Sequence, residues 1–229
     1  MRILLRAAQP CTSSLLTSVH ADGRPPGTFP VASCVVDAFN ADGIGSCPVT
    51  YRAPFVSGVE RIVAKAPTFT DAKPEAKVKI EVPDLVELPP DPSRYVLVGA
   101  PNNHALTNDP CRKAAPTSLH FQNHFALPTM RDAVIAIADT MLRETGILIR
   151  VNDMSLPTGG LFDIKNDWKP KHDTHRVGRE ADIGFTGIMN GVCTAFDEDR
   201  LFTVIRDIAR RAPLIENTAS GTHFHAHLP

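Results

Sequence analysis

The chain has almost no excess of charge: 24 Lys and Arg against 25 Asp and Glu leave a formal net charge of −1. Nothing therefore draws it electrostatically to an anionic membrane surface, and no nucleic-acid partner is expected. Long apolar runs are missing as well. None approaches the roughly 20 residues that span a bilayer, so no transmembrane segment is expected. The opening "MRILLRAAQP" starts basic, but Arg6 interrupts its apolar segment almost at once, which makes a poor secretory signal. Cysteine is sparse: Cys11, Cys34, Cys47, Cys111 and Cys193 cannot all pair, and none sits in a C-x-x-C metal knuckle. A Cys34–Cys47 bridge across a β-sandwich and separate buried thiols are both open. Internal repeats and low-complexity tracts are also missing.

What is present is an ordinary globular composition. With 229 residues, 43% hydrophobic and 21% charged, the chain can bury a core and build one large domain or two small ones. Residues 1–27 read as an irregular leader, because "GRPPG" and the Ser/Thr content discourage regular elements. Residues 28–88 read as a β-rich segment. There "PVASCVVDA", "CPVTYRA", "VERIVAKA" and "AKVKIEV" form short β-type runs between turn signals. Prolines between Val82 and Ala100 mark a linker, and residues 89–229 read as an α+β domain. "YVLVGA" and "GILIRVNDMS" are strand candidates. Val134, Ile135, Ala138, Met141 and Leu142 recur at helical spacing, with Thr129 as a cap and Gly146 as the stop. A second helix is expected over Asp197–Ala212, with Leu201, Val204, Ile205 and Ile208 on one face and Pro213 after it.

Histidine is concentrated. Five of nine lie in "HDTHRVGREADIG" (His172–Gly184) and the closing "GTHFHAHLP", while His20, His104, His120 and His124 are scattered. His175 and Asp182 are seven positions apart. On one helix they would sit about 10 Å apart, too far for one ion. On one strand they would face opposite sides. They converge only if the chain turns, and Gly178 permits that. After it "READIGF" alternates: Ala181, Ile183 and Phe185 face a core, Glu180 and Asp182 the other side. In "HFHAH" the three histidines share one strand face, with Phe224, Ala226 and Leu228 on the apolar side. Neighbouring same-face positions are about 7 Å apart, so one imidazole can ligate an ion while the next stands beside it. Two imidazoles and a carboxylate suit a single Zn2+ with one position left for water, the catalytic pattern. The chemistry implied is amide hydrolysis.

Three ordered motifs carry a resemblance. "DMSLPTGG" (Asp153–Gly160), "HDTHRVGREAD" (His172–Asp182) and "HFH" (His223–His225) resemble the zinc D-Ala-D-Ala metallopeptidase and hedgehog-type superfamily, most closely the penicillin-insensitive murein endopeptidases. The likeness covers roughly residues 146–229. It implies His175, Asp182 and His225 as zinc ligands. It also implies His223 as the catalytic residue that handles the proton of the attacking water or stabilises the oxyanion. His172, Asp153 and Ser155 are implied to contact substrate or support the ligands, and Gly159 and Gly160 to shape the rim of the site. Trp168 is open between walling the cleft and plain packing. The implied substrate is a peptidoglycan peptide, and the implied location periplasmic or secreted. "VTYRAPFVSGVERIVA" (Val49–Ala64) resembles a bacterial surface Ig-like repeat.

The chain departs from the endopeptidase pattern in three places. Ser220 stands where those enzymes usually have histidine, and Thr158 and His227 stand where they tend to have arginine. His227 also makes a second H-x-H with His225; the matching "HFH" selects His225. Two other readings remain at this level: a hedgehog-like zinc-containing binding or adhesion module without catalysis, and an inactive relative.

Overall fold

A computed structural model describes residues 2–7, 15–20, 24–36, 38–65, 75–98, 110–111, 122–161, 173–218 and 221–229. The chain divides into two compact units, Met1–Glu81 and Val82–Pro229. Helices together with largely antiparallel sheets place it in the α+β class, as the sequence implies.

The first unit is all β. Strand β1 (Arg2–Ala7) pairs with β3 (Gly45–Thr50), and β4 (Gly58–Lys65) lies between β2 (Leu15–His20) and β5 (Glu75–Ile80), all antiparallel. Alternation drives these strands inward on one side: Val49, Ile62 and Ala64 pack with Tyr51 in a small core. Glu60 sits at an inward position and is fully buried. It accepts hydrogen bonds from the Tyr51 hydroxyl and, at 2.8 Å, from the Gly27 N–H. Cys34 and Cys47 form a disulfide.

Two expectations need correction here. Arg2–Ala7 and Leu15–His20 are strands paired along their whole lengths, not an irregular leader. The Gly/Pro cluster breaks structure only locally, and sheet pairing decides the rest. Conversely, the described part of Pro30–Ala38 forms no strand beyond a single bridge at Val36.

The second unit contains β6 (Val86–Glu87), β7 (Tyr95–Leu97), β8 (Phe125–Ala126), α1 (Pro128–Thr145), β9 (Ile149–Val151), a 3-10 turn (Asp173–Val177), β10 (Glu180–Gly184), β11 (Thr186–Met189), β12 (Val192–Ala195), α2 (Glu198–Ala209), β13 (Leu214–Thr218) and β14 (Gly221–His227). Its main sheet runs β13-β14-β10-β9-β7, antiparallel except for the β7–β9 pair. The unit begins at Val82 rather than after residue 88: β6 pairs with β8, and Leu88 is fully buried in the same core as the helices.

Both helices pack into that core. From α1 come Met130, Val134, Ile137, Ala138 and Met141, from α2 Leu201, Val204 and Ile205. They meet Tyr95, Leu97, Ile149, Val151, Ala181, Ile183, Phe224 and Ala226 of the sheet. Helix α1 starts without a side-chain cap; Pro128 opens it and Thr129 lies inside its first turn. Gly146 closes it at φ 71°, with its N–H bonded to the Leu142 carbonyl. Helix α2 is capped by Asp197, whose side chain accepts from the Arg200 N–H. The hairpin β11–β12 turns on Asn190 and Gly191, both at positive φ, and Cys193 on it is bonded to Cys111. No helix among the described residues is long and apolar enough to cross a membrane.

Candidate metal centre

One face of the main sheet is committed to the core, and this fixes what lies on the other. Strands β10 and β14 pair with Asp182 opposite His225, Glu180 opposite His227 and Gly184 opposite His223. Opposed residues share a face. Ala181, Ile183, Phe224 and Ala226 turn to the helices and are at most 1% exposed. The acids and histidines therefore turn the other way. On the far side of β14, β13 sets Glu216 opposite His223.

His175 reaches this face from the 3-10 turn. The chain then doubles back through Gly178 at φ 70°, where a side chain would collide with Leu85 and crowd the Leu127 nitrogen at 3.0 Å. A second glycine closes the other side of the turn. Gly159, at φ 73°, lies where a Cβ would come within 2.7 Å of the Arg176 carbonyl, and the Gly160 N–H bonds that same carbonyl at 3.0 Å. The loop after Asp153 is thus stitched to the turn that carries His175.

The side chains converge on Asp182. His225 Nδ1 is 2.9 Å from Asp182 Oδ1, and His175 Nε2 is 3.3 Å from the same oxygen. His223 Nε2 lies 3.3 Å from the other oxygen, Oδ2, and 3.6 Å from Glu216 Oε2. The His175 and His225 rings meet edge to face with centroids 4.9 Å apart. All of this is buried: His175 and Asp182 are 1% exposed, His225 2% and His223 5%.

Burial by itself would raise the Asp182 carboxyl. The surrounding imidazoles, His175 foremost, instead hold it well below the usual carboxylate range. Burial would likewise lower His225, but the neighbouring carboxylates of Asp182 and Glu180 outweigh it and push the ring up to about 10. His223 is raised against its own burial by Asp182. His227 is lowered, first by burial and then by the Arg211 charge. The carboxylate therefore favours protons on His223 and His225, the same neutralisation that a divalent cation supplies.

The donors fit such an ion. The ligand atoms of His175, Asp182 and His225 all lie within 4.8 Å of one another. Tetrahedral donors at metal–ligand bonds of about 2.0–2.1 Å sit about 3.3 Å apart, close to the spacings of 3.3 and 2.9 Å about Asp182 Oδ1. His223 Nε2 and His225 Nε2 are buried without an aligned hydrogen bond. They approach carboxylates at ion-pair distance instead.

The remaining expected site residues are placed as follows. Asp153 holds the Asp182 strand through its backbone, its carbonyl accepting the Asp182 N–H at 2.8 Å, while its side chain accepts from Asn123. Ser155 is fully buried, exchanging backbone hydrogen bonds with Phe125, and its hydroxyl has no aligned partner. His172, Trp168 and Ser220 lie outside the described residues. His124 is buried and bonded to the Val151 carbonyl at 3.2 Å, so it belongs to the packing of this loop. Sequence reasoning missed Glu216, since β13 carries no pattern that distinguishes it from a loop. It also gave Glu180 a face but no role, although Glu180 Oε2 is 3.3 Å from His225 Nε2. No family model, curated protein or solved structure matches the chain.

Proposed function

We propose that the chain is a zinc-dependent amide hydrolase of the metallopeptidase type, acting on peptidoglycan peptides. The observation that carries this reading is the convergence of His175 Nε2, Asp182 Oδ1 and His225 Nδ1, with His223 beside them on the same sheet face. When bound, zinc supplies Lewis acidity toward a water molecule and an amide carbonyl. Two imidazoles and one carboxylate leave a tetrahedral position free, which suits catalysis better than a closed structural site.

The protein's own residues supply the rest. Asp182 carries the negative charge that would hold the ion beside His175 and His225. His223 takes no place among the three ligands, and its Nε2 stands where it can accept a proton from the attacking water and return it to the leaving nitrogen. Across from it Gly184 has no side chain, so no cross-strand group screens the ring on that flank. Arg150 lies near Gly184, within 3.7 Å of the position a Cβ would take there. It brings a guanidinium to the His223 edge of the site, in a chain where Thr158 and His227 stand in place of the family's arginines. A cation at that edge suits a substrate bearing a carboxylate.

The workplace we propose is periplasmic or extracellular. The Cys34–Cys47 and Cys111–Cys193 bonds support it, because disulfides persist in oxidising compartments. In the same reading the first unit is an Ig-like module that holds the hydrolase at the cell wall. Metal analysis of the purified chain, paired with a His175→Ala control, tests the proposal. One equivalent of zinc lost in the control, together with release of peptide fragments from peptidoglycan, is the expected result; absence of metal in both removes it. A non-catalytic zinc module would keep both its metal and its binding in His223→Ala, whereas a hydrolase keeps only the metal.

A further inference from the structure

The His225 ring has two nitrogens, and the structure surrounds both with donors. Nδ1 faces Asp182 and His175; Nε2 faces Glu180, 3.3 Å away. Glu180, His225 and His227 form a second group whose ligand atoms lie within 4.8 Å of one another. We propose that these three residues are a second seat for a late first-row divalent cation, sharing the His225 imidazole with the first seat.

Three observations carry this. First, the 3.3 Å from His225 Nε2 to Glu180 Oε2 is the separation of two donors around one ion, about 3.3 Å for tetrahedral bonds of 2.0–2.1 Å. Second, His225 is 2% exposed and its Nε2 makes no aligned hydrogen bond, so the nitrogen is buried and aimed into the seat. Third, strand pairing sets Glu180 directly opposite His227, so two of the ligands are cross-strand neighbours whose spacing the sheet fixes.

The proposal rests on the first seat only through the shared ring. Filling the second seat replaces the Nε2 proton of His225, which passes to solvent, and the ring becomes an imidazolate between two ions. Two imidazoles and a carboxylate favour Zn2+ or Cu2+ over Mg2+ or Ca2+, which prefer all-oxygen shells. The Glu180 side chain is 17% exposed against 2% for Asp182, so the second seat exchanges with solvent more readily than the first.

Metal stoichiometry of the full chain tests it. After chelation and dialysis the wild type is expected to take up two equivalents of Zn2+, the second more weakly. Glu180→Gln and, separately, His227→Gln should each bind one equivalent, with first-seat affinity changed less than about tenfold, the low end of what losing an outer partner costs. His175→Ala should also bind one, now the second. With Cu2+ at two equivalents, the paramagnetic resonance signal should fall as the two coppers couple through the shared ring. A single equivalent in the wild type, lost in His175→Ala, overturns the second seat while leaving the hydrolase reading intact. A weakening of that single ion in Glu180→Gln would then make the acid merely an acceptor for His225. Two uncoupled copper signals would overturn the shared ring, and no metal in any form would sink both proposals. The wild-type count needs no variant to fold.

Discussion

Among the described residues each unit buries one carboxylate, and the two are handled in opposite ways. Glu60 is fully buried among groups that carry their own hydrogens: the Tyr51 hydroxyl and the Gly27 N–H both donate to it. Burial, then the Glu60 hydrogen bond, pushes Tyr51 above its usual range, so that hydroxyl stays a donor throughout the neutral range. Asp182 is buried as deeply, but its partners are the imidazoles of His175, His223 and His225. An imidazole donates when protonated and offers a lone pair when not. The first arrangement has one state and serves as a structural pin. The second can hold either protons or a metal ion, and this is what separates a candidate ligand site from a buried polar contact.

That contrast can be attacked directly, and the largest effect is expected at Asp182. Asp182→Asn should abolish metal uptake at the His175–Asp182–His225 seat, losing more than the ~10–100-fold that outer partners cost. Elemental analysis after dialysis measures this, and full retention of metal would contradict the assignment. Next comes His223→Ala, with turnover expected to fall about 10²–10⁴-fold while metal content stays constant. Single-turnover hydrolysis of a peptidoglycan peptide, run beside metal analysis, separates the two roles.

The third test uses pH. His225 in the chelated protein has its pKa raised from 6.5 to about 10, and His223 is raised too. The folded state then binds more protons than the unfolded one across that window. Their contribution is complete below about pH 6.5 and is lost as pH climbs toward about 10. Asp182, depressed, contributes above about pH 4 and loses its contribution on acidification. Urea melts of the chelated second unit should therefore be most stable near pH 5–6 and weaken toward pH 10. Zinc affinity should run the other way, rising with pH because binding releases those protons.

Smaller effects are expected in the first unit. Glu60→Ala removes the carboxylate that the Gly27 N–H and the Tyr51 hydroxyl both donate to, a cost of about 1–3 kcal/mol. Metal content should not change. Tyr51→Phe removes one donor to Glu60 and should cost about 1 kcal/mol. If either variant altered metal binding, the claim that the two carboxylates serve separate purposes would fail.

Much of the site could be read along the chain. The alternation in "READIGF" and "HFHAH" sorts the ligands from the core, because β side chains repeat every two residues. Ala181, Ile183, Phe224 and Ala226 are buried against the helices as that pattern requires. Gly178 does permit the turn that returns the chain to β10. Other features were not legible. "RILLRA" and "LLTSVH" become strands only because partner strands accept them, and β13 gives no local sign of itself. The β11–β12 hairpin did announce itself through Asn190-Gly191, a favoured two-residue turn that the sequence reading passed over.

By itself the sequence determined the donor types and which side of each strand they occupy, since a period of two admits no other sorting. It did not determine which histidine meets Asp182. Sliding β14 by two residues along β10 would bring His223 or His227 opposite the carboxylate with every face unchanged. Tertiary structure decided that register. The Leu228 N–H closes on the Arg179 carbonyl at 3.0 Å, and Phe224 is wedged against Phe185 with centroids 4.4 Å apart and against Phe202 at 6.1 Å. A two-residue slip would break that hydrogen bond and pull the aromatic ring from its place in the core, so His225 is the imidazole held opposite Asp182.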